Sequence, residues 1–154
     1  MAGLDEIYNT KLVELAADIP CSERVQSPDA TATAHSKLCG STVTIDLNLS
    51  GDTVSGYGQL VKACLLGQAA ASIVGRHIIG ATAEEVRAAA AAMSRMLKDE
   101  GPPRSGRFAE LGLLRPVKHY RARHGSVMLT FDALEKAISE IEGRRATARQ
   151  SASG

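Results

Sequence analysis

The clearest pattern in the chain is a strict alternation of apolar and polar residues over 42–49, which predicts a β-strand with one apolar face. Residues 50–52 form a turn sequence, so residues 53–59 are predicted to return as the partner strand of a hairpin. A weaker alternation over 31–37 predicts a further short strand. Because the alternating strand has a polar face, we expect an antiparallel sheet covered on one side only. The apolar positions of this strand are Val43, Ile45, Leu47 and Leu49.

Much of the remaining chain has apolar residues at helical spacing. Helices are predicted over 4–17 and over 64–79, and Gly80 is expected to end the second of them. Thr82 and Glu85 have the spacing of a capping box, which predicts the start of a third helix. The buried stripe of that helix is predicted to contain Val86, Ala90, Met93 and Leu97.

The C-terminal third is predicted to contain a mobile loop over 101–106, a short helix over 108–114 and a final helix from Ser126 to Gly143. Residues 144–154 have almost no large apolar side chain, so we expect a disordered tail after a single domain over 1–143. Strands followed by helices predict an α+β fold. Its expected form is a two-layer sandwich with a three-stranded, mainly antiparallel sheet packed by helices.

Composition and charge narrow the range of functions. The 154 residues are 44% hydrophobic and carry a formal net charge of +1, so the chain has no overall field that would recruit nucleic acid or an anionic membrane. We expect neither a membrane-spanning segment nor a secretory signal. Three cysteines are too few for a disulfide framework, which favours a cytoplasmic protein. The sequence also lacks nucleophile-elbow, phosphate-loop and zinc-protease motifs, so we expect no autonomous hydrolase or NTPase.

Two cysteines occupy positions suited to metal or sulfur chemistry. Cys39 precedes the predicted central strand, and Cys64 begins the helix over 64–79. A cysteine at a helix N-terminus lies at the positive end of the helix dipole, which favours the thiolate that binds metals and attacks sulfur. Taken without other information, both are more simply interpreted as small buried side chains. Cys21 lies in a predicted loop and is expected to be a free thiol without a role.

Two histidines are candidate further ligands. His124 precedes the predicted last helix; the alternative is a solvated loop histidine close to Arg121 and Arg123. His35 lies four residues before Cys39, and it shares a strand face with that cysteine if the strand continues.

The order of these features resembles the NifU/IscU/SufU (SufE/NifU-like) family of iron–sulfur cluster assembly scaffolds. The shared features are a Cys-Gly pair before a strand, a hairpin, and a cysteine that opens a helix reading C-x-x-x-x-A-x-A-S. The resemblance extends from about Ala32 to Ile141. It implies that Cys39 and Cys64 are ligands of iron or of a cluster.

The chain departs from the family pattern at three positions. Ser126 stands where the family has a third cysteine, Ser41 where it has an aspartate, and Gly125 where it has a histidine, with His124 next to it. A neutral hydroxyl coordinates metals weakly, and Ser126 is also a good helix N-cap. The implied ligand positions are Cys39, Cys64 and His124, with His35, Ser41 and Ser126 as secondary candidates.

The resemblance implies a scaffold that transiently binds iron and sulfide, or a [2Fe–2S] cluster, and passes it to apo-proteins. The alternatives are a zinc-dependent sulfur acceptor for a cysteine desulfurase and a degenerate adaptor that binds no metal. The implied partners are a cysteine desulfurase, apo iron–sulfur proteins and an Hsp70-type chaperone. The chaperone would bind the segment from Leu114 to Lys118, which is similar to the family's chaperone-recognition motif. We expect a monomer or a weak homo-oligomer.

A basic stretch over 118–124 contains one aromatic residue and follows that motif directly. Such a stretch could contact nucleic acid phosphates or an acidic protein partner. The near-neutral net charge argues against nucleic acid, so none is expected as a partner.

Overall fold

The computed structural model describes residues 10–37, 40–99, 101 and 106–153. The strands are β1 (Ala30–His35), β2 (Thr42–Ser50) and β3 (Thr53–Lys62), and the helices are α1 (Thr10–Ala17), α2 (Leu65–His77), α3 (Ala83–Lys98) and α4 (Arg121–Ser153). A 3₁₀ segment (Gly106–His119) joins α3 to α4. The predicted α+β class with a three-stranded antiparallel sheet is confirmed. The beginning of the helix predicted over 4–17 lies outside the described residues.

The sheet has the order β1-β2-β3, and its apolar face is the one predicted from the alternation in β2. Val43, Ile45 and Leu47 are buried, and they pair across the sheet with residues of β3 that share their face. Helix α4 packs on β1 and β2, and α2 packs on β3, so these two helices form the second layer. Gln59 is a buried amide on this face, and its Nε2 donates hydrogen bonds to the carbonyls of Pro20 and Ala71.

The opposite face of the sheet is not left entirely to solvent, which corrects the expectation of a sheet covered on one side only. Asp46 lies on this face but is 1% exposed. The Arg24 guanidinium donates to both of its carboxylate oxygens, at 2.6 and 3.0 Å, and the Val25 amide and the Thr31 hydroxyl donate to it as well. A Cβ at Gly58 would clash with the Glu23 carbonyl. The loop between α1 and β1, which contains Glu23, therefore crosses directly over β3. This loop is therefore tied to the sheet through one buried carboxylate.

The capping box predicted at the start of α3 is confirmed. The Thr82 hydroxyl accepts a hydrogen bond from the Glu85 amide at 3.1 Å, and the Glu85 carboxylate accepts one from the Thr82 amide at 3.2 Å. Of the predicted buried stripe, Val86, Met93 and Leu97 are buried, and Ala90 packs partly against the core.

Helix α4 is longer at both ends than the predicted final helix. It begins at Arg121 instead of Ser126, and it continues through Gly143 to Ser153, where a disordered tail was expected over 144–154. Arg145 gives a physical reason, because its guanidinium donates to the carbonyls of Gly51 and Leu49 on the β2–β3 hairpin, at 2.6 and 2.8 Å. That a single domain spans 1–143 stays a prediction.

Helix α4 also covers the outer edge of β1. Lys136 Nζ donates to the Thr33 carbonyl at 3.0 Å, and Arg144 donates to the Asp29 carbonyl just before the strand. Despite its length, α4 does not have the apolar stretch needed to cross a bilayer, and neither does any other helix in the described part of the chain.

Candidate functional site

The candidate site is built around Cys64, which lies at the junction of β3 and α2. Cys64 is the N-cap residue of α2, with extended backbone angles (φ −68°, ψ 171°), and its carbonyl accepts the Gln68 amide at 2.9 Å. Its side chain makes no capping hydrogen bond. The thiol is partly exposed and free of any disulfide. A sulfur at this position lies at the positive end of the helix dipole and is accessible for chemistry.

Ser126 lies against this sulfur. Its Oγ is 3.2 Å from the Cys64 Sγ, which is within hydrogen-bonding distance, and its side chain is only 2% exposed. The contact needs a small residue on α2, because a Cβ at Gly67 would lie 2.6 Å from the Ser126 Oγ and 2.8 Å from the Ala63 Cβ. Gly67 therefore allows α4 to approach α2 closely enough to bring the two side chains together.

The β1–β2 loop closes beside the same end of α4. The Ser36 amide donates to the Ser41 carbonyl and the Gly40 amide donates to the Ser36 carbonyl, both at 2.9 Å. Gly40 has a φ of +69°, a left-handed conformation that favours glycine. A Cβ built at Gly125 would lie 3.5 Å from the Ser36 Oγ, so this loop lies close to the residue that precedes Ser126. Ser41 is buried within the loop. The loop also contains Cys39, which lies outside the described residues.

His124 faces away from the contact between Cys64 and Ser126. Its Nε2 lies 3.0 Å from the Val117 carbonyl and 3.2 Å from the Lys118 carbonyl. Carbonyl oxygens only accept, so Nε2 is the donor in this arrangement, and Nδ1 is left as the ring atom able to bind a metal. Two positions along α4 correspond to a rotation of about 200°, which explains why His124 and Ser126 have different neighbours.

His35 is exposed at the end of β1 and pairs with Thr42. It lies on the same sheet face as Asp46, opposite the face covered by α2 and α4. Within the described residues, no group of three or more histidine, cysteine, aspartate or glutamate side chains could hold a metal ion. The described side chains therefore bring together one thiol and one hydroxyl, and the roles of Cys39, His124, His35 and Ser41 as ligands stay predictions.

Cys21 lies far from this site. Its Sγ is 3.8 Å from the Gly75 carbonyl, near the opposite end of α2, which is roughly 16 Å along the helix from Cys64. Burial raises the pKa of the Cys21 thiol, which disfavours the thiolate. Cys21 is consequently a suitable reference thiol for experiments on Cys64.

The comparison with solved structures identifies the family. The crystal structure of a nitrogen-fixing NifU-like protein (N-terminal) from Brucella abortus is 49% identical in sequence, with a TM-score of 0.89. The match covers 91% of this chain and 97% of that one. The chain belongs to the NifU-like family. No match was found among protein-family models or among curated proteins.

Two more distant structures share the fold of this NifU-like chain. One is a candidate iron–sulfur cluster assembly scaffold protein for the SUF system from Fervidobacterium islandicum, which is 19% identical, with a TM-score of 0.79 over 88% of this chain and 98% of that one. The other is a hypothetical protein that is 20% identical, with a TM-score of 0.78 over 88% of this chain and 99% of that one. At these identities the matches establish the fold alone.

In this NifU-like chain, the contact between sulfur and hydroxyl sets the available chemistry. A thiolate at position 64 is a soft metal ligand and a nucleophile toward sulfur, whereas the Ser126 hydroxyl is a weak ligand and a good hydrogen-bond donor. Sequence reasoning matched Ser126 to a site position but did not find the role of Gly67. The signal for it was a glycine in the first turn of a helix, where it costs helix stability unless close packing requires it.

Proposed function

We propose that this NifU-like chain acts as a scaffold in iron–sulfur cluster assembly. It holds iron and sulfide, or a [2Fe–2S] cluster, as cargo at Cys64 and Cys39 and then passes the cargo to apo-proteins. The observation that carries this proposal is the partly exposed Cys64 sulfur at the α2 N-terminus, directly against Ser126. Membership of the NifU-like family, shared with the Brucella abortus protein, supports it.

The composition of the site favours transient binding. Clusters are held mainly by thiolates, and the position beside Cys64 carries a hydroxyl instead of a second thiol. His124 adds at most its Nδ1, because its Nε2 donates to backbone carbonyls. A site with few strong ligands releases its cargo more readily than a closed one, as a carrier requires.

In the sulfur-transfer step, the Cys64 thiolate attacks the outer sulfur of a persulfide on a cysteine desulfurase. A new sulfur–sulfur bond forms at Cys64, the bond in the desulfurase persulfide breaks, and the desulfurase thiolate leaves. The exchange has no net oxidation or reduction. Within this proposal the chain is a carrier and not an enzyme, and we expect it in the cytoplasm as a monomer or weak homo-oligomer.

The proposed chaperone contact is limited by burial. In the segment from Leu114 to Lys118, Leu114 and Val117 are fully buried. Arg115 is exposed and Lys118 is partly exposed, so an Hsp70-type chaperone would reach these residues and Pro116 unless the 3₁₀ segment opens. This partner stays a proposal alongside the desulfurase and the apo-proteins.

A second candidate is the adaptor that binds no metal. It is favoured by one observation, the Ser126 hydroxyl that lies beside the Cys64 sulfur in place of a thiol. The zinc-dependent sulfur acceptor is tested by the same experiment.

The test is anaerobic reconstitution with ferrous iron and sulfide, followed by visible absorbance and metal analysis. We expect an absorbance band that is lost in Cys64→Ala and in Cys39→Ala and is kept in Cys21→Ala, the matched control. Stoichiometric zinc after aerobic purification, bound through Cys64 and without cluster formation, would replace the scaffold by the zinc acceptor. If the wild-type chain binds neither metal nor cluster, the adaptor is the remaining candidate function.

A further inference from the structure

Strand β3 forms an edge of the sheet, and other segments of the chain bond to part of that edge. The Val54 amide donates to the Ala81 carbonyl at 2.8 Å, and the Val54 carbonyl accepts the Gly80 amide at 2.9 Å. Further along the strand, the Gln59 amide donates to the Cys21 carbonyl at 2.8 Å. The last three residues of β3 follow this contact and lead directly to the thiol site.

The edge of β3 is open at Val61. In an antiparallel ladder, residues two apart direct their backbone groups to the same side of the strand. The Gln59 amide points away from β2, so the amide and the carbonyl of Val61 point away from β2 as well. No residue in the described part of the chain forms a hydrogen bond with either group. Such groups on an edge strand are those to which a further strand adds.

The two neighbours of Val61 define what an added strand would contact. Leu60 is 45% exposed, and Lys62 is exposed as well. Both lie on the sheet face opposite to α2 and α4, where they pair with Thr44 and Thr42. A strand paired with Val61 would place one side chain beside Leu60 and another beside Lys62. An apolar residue suits the first position and an acidic residue the second.

The open edge leads to the Cys64 sulfur. The backbone is still extended at Cys64, with φ −68° and ψ 171°, and Cys64 follows Val61 by three residues, or about 10 Å. An antiparallel segment paired with Val61 would therefore pass Cys64 with the residue that lies three positions earlier in its own sequence. The Cys64 thiol is partly exposed and could react with a group at that position.

We propose that an extended segment of the sulfur-donating protein adds to β3 as an antiparallel strand at Val61. The segment has an apolar residue beside Leu60, an acidic residue beside Lys62 and its persulfide beside Cys64. The outer sulfur then bonds to Cys64, and the donor thiolate leaves. This inference rests on the proposed function, because it describes how the sulfur donor of that function is held. The pairing covers only about three residues, which suits a transient contact.

A second copy of the chain fits this edge less well. In a two-fold pair centred on Val61, each Lys62 would face an apolar Leu60, and lysines on an edge strand oppose pairing between identical strands. The two Cys64 residues would lie on opposite sides of the centre, about 20 Å apart along the strands. Such a pair would bring no sulfur donor to either thiol.

The experiment titrates the isotope-labelled chain with the peptide acetyl-Thr-Ser-Glu-Val-Val-amide in metal-free buffer and follows backbone amides by NMR. The first valine is designed to pair with Val61. We expect the amides of residues 60–62 to shift and hydrogen exchange at the Val61 amide to slow. Methylating the backbone nitrogen of the first valine removes the donor to the Val61 carbonyl and should weaken binding at least about fivefold. The same change at the second valine, whose amide points away from β3, is the matched control and should weaken binding less than about twofold.

A pair of chain variants tests the side-chain contact. Leu60→Ser should weaken peptide binding at least about threefold, because it removes the apolar neighbour of the second valine. Ile79→Ser changes another exposed apolar residue, 50% exposed and outside β3, and should change binding less than about twofold. Circular dichroism confirms that both variants are folded, and the methylated peptides test the same pairing on the wild-type chain.

Three results would overturn the proposal. One is the absence of shifts at residues 60–62 with the unmodified peptide, and another is equal weakening by the two methylated peptides. The third is dimerisation of the chain alone that Leu60→Ser abolishes, which would assign the edge to a second copy. No iron, sulfide or persulfide is present, so failure here leaves the cluster-reconstitution test of the proposed function unaffected.

Discussion

The Cys64 Sγ and the Ser126 Oγ lie 3.2 Å apart, although the two residues are separated by 62 positions in the chain. The β3–α2 junction supplies the sulfur and the second turn of α4 supplies the hydroxyl. Their contact makes the beginning of α4 part of the thiol site. It also defines geometry that can be tested without any cargo.

The first prediction concerns this geometry. In Ser126→Cys, a second sulfur replaces an oxygen that already contacts the Cys64 sulfur, so mild oxidation should form a disulfide between positions 64 and 126. Peptide mapping by mass spectrometry and free-thiol counting would detect it. Ser139→Cys, at an exposed position on the same helix, should form no such bond with Cys64. Two free thiols at 64 and 126 after oxidation would contradict the contact.

The second prediction concerns Gly67. Gly67→Ala should destabilise the fold by about 1–3 kcal/mol, because the added methyl group would overlap the Ser126 Oγ and the Ala63 Cβ. Gly143→Ala is the matched control, since a Cβ there meets nothing within 4 Å, and it should stabilise α4 by about 0.5–1 kcal/mol. Denaturant unfolding measures both changes. Equal effects of the two substitutions would show that α2 and α4 are not closely packed at Gly67.

The third prediction concerns pH. Hydrogen bonding to Arg24 lowers the pKa of Asp46 in the folded state, so this carboxylate stabilises the fold above its unfolded pKa of about 3.9, and the stabilisation is lost as the pH falls through the folded-state pKa. Asp46→Asn should therefore cost about 1.5–3 kcal/mol at neutral pH, and the difference from wild type should narrow below about pH 4.

Unfolding by denaturant across this pH range measures the effect of Asp46→Asn. Asp52→Asn, which changes an exposed carboxylate in the β2–β3 turn, is the control and should change the free energy of unfolding at neutral pH by less than about 0.5 kcal/mol. If the free energies of unfolding of wild type and Asp46→Asn differ by the same amount at all pH values, stability is not linked to the protonation of Asp46.

The fourth prediction concerns the C-terminal part of α4. Arg145→Ala removes the donors to the carbonyls of Gly51 and Leu49, so amides after Gly143 should exchange with solvent faster. Hydrogen exchange read by mass spectrometry measures this change, with Gln150→Ala as the control. If these amides already exchange at unprotected rates in the wild type, the segment is disordered in solution, as the sequence alone predicts.

The strands and the α3 cap could be predicted because their signals are local. The alternation from Val43 to Leu49 places each side chain on a face, and Thr82 and Glu85 satisfy each other within one turn. The start of α4 has no such signal, because residues 121–125 contain no large apolar side chain to extend the helical pattern. Its C-terminal extension depends on Arg145 reaching a distant hairpin, which periodicity does not encode.

The candidate site was predictable only in part for the same reason. Cys64 was placed correctly at the start of a helix by its local sequence. The contact with Ser126 and the need for Gly67 depend on how two helices pack, and the orientation of His124 depends on carbonyls in the 3₁₀ segment. Asp46 looked like a solvated strand residue because the loop that buries it lies more than twenty residues earlier in the chain.

The two positively charged side chains that α4 places along β1 have a consequence for the behaviour of the protein at high concentration. An exposed strand edge is a template onto which a strand of another molecule can add, and such growth leads to fibrils. Lys136 already donates a hydrogen bond to the Thr33 carbonyl at that edge, and Arg144 donates one to the Asp29 carbonyl just before it. A neighbouring molecule would have to displace both side chains and bring its own backbone against two positive charges, so α4 protects the β1 edge of the sheet against self-templated polymerisation.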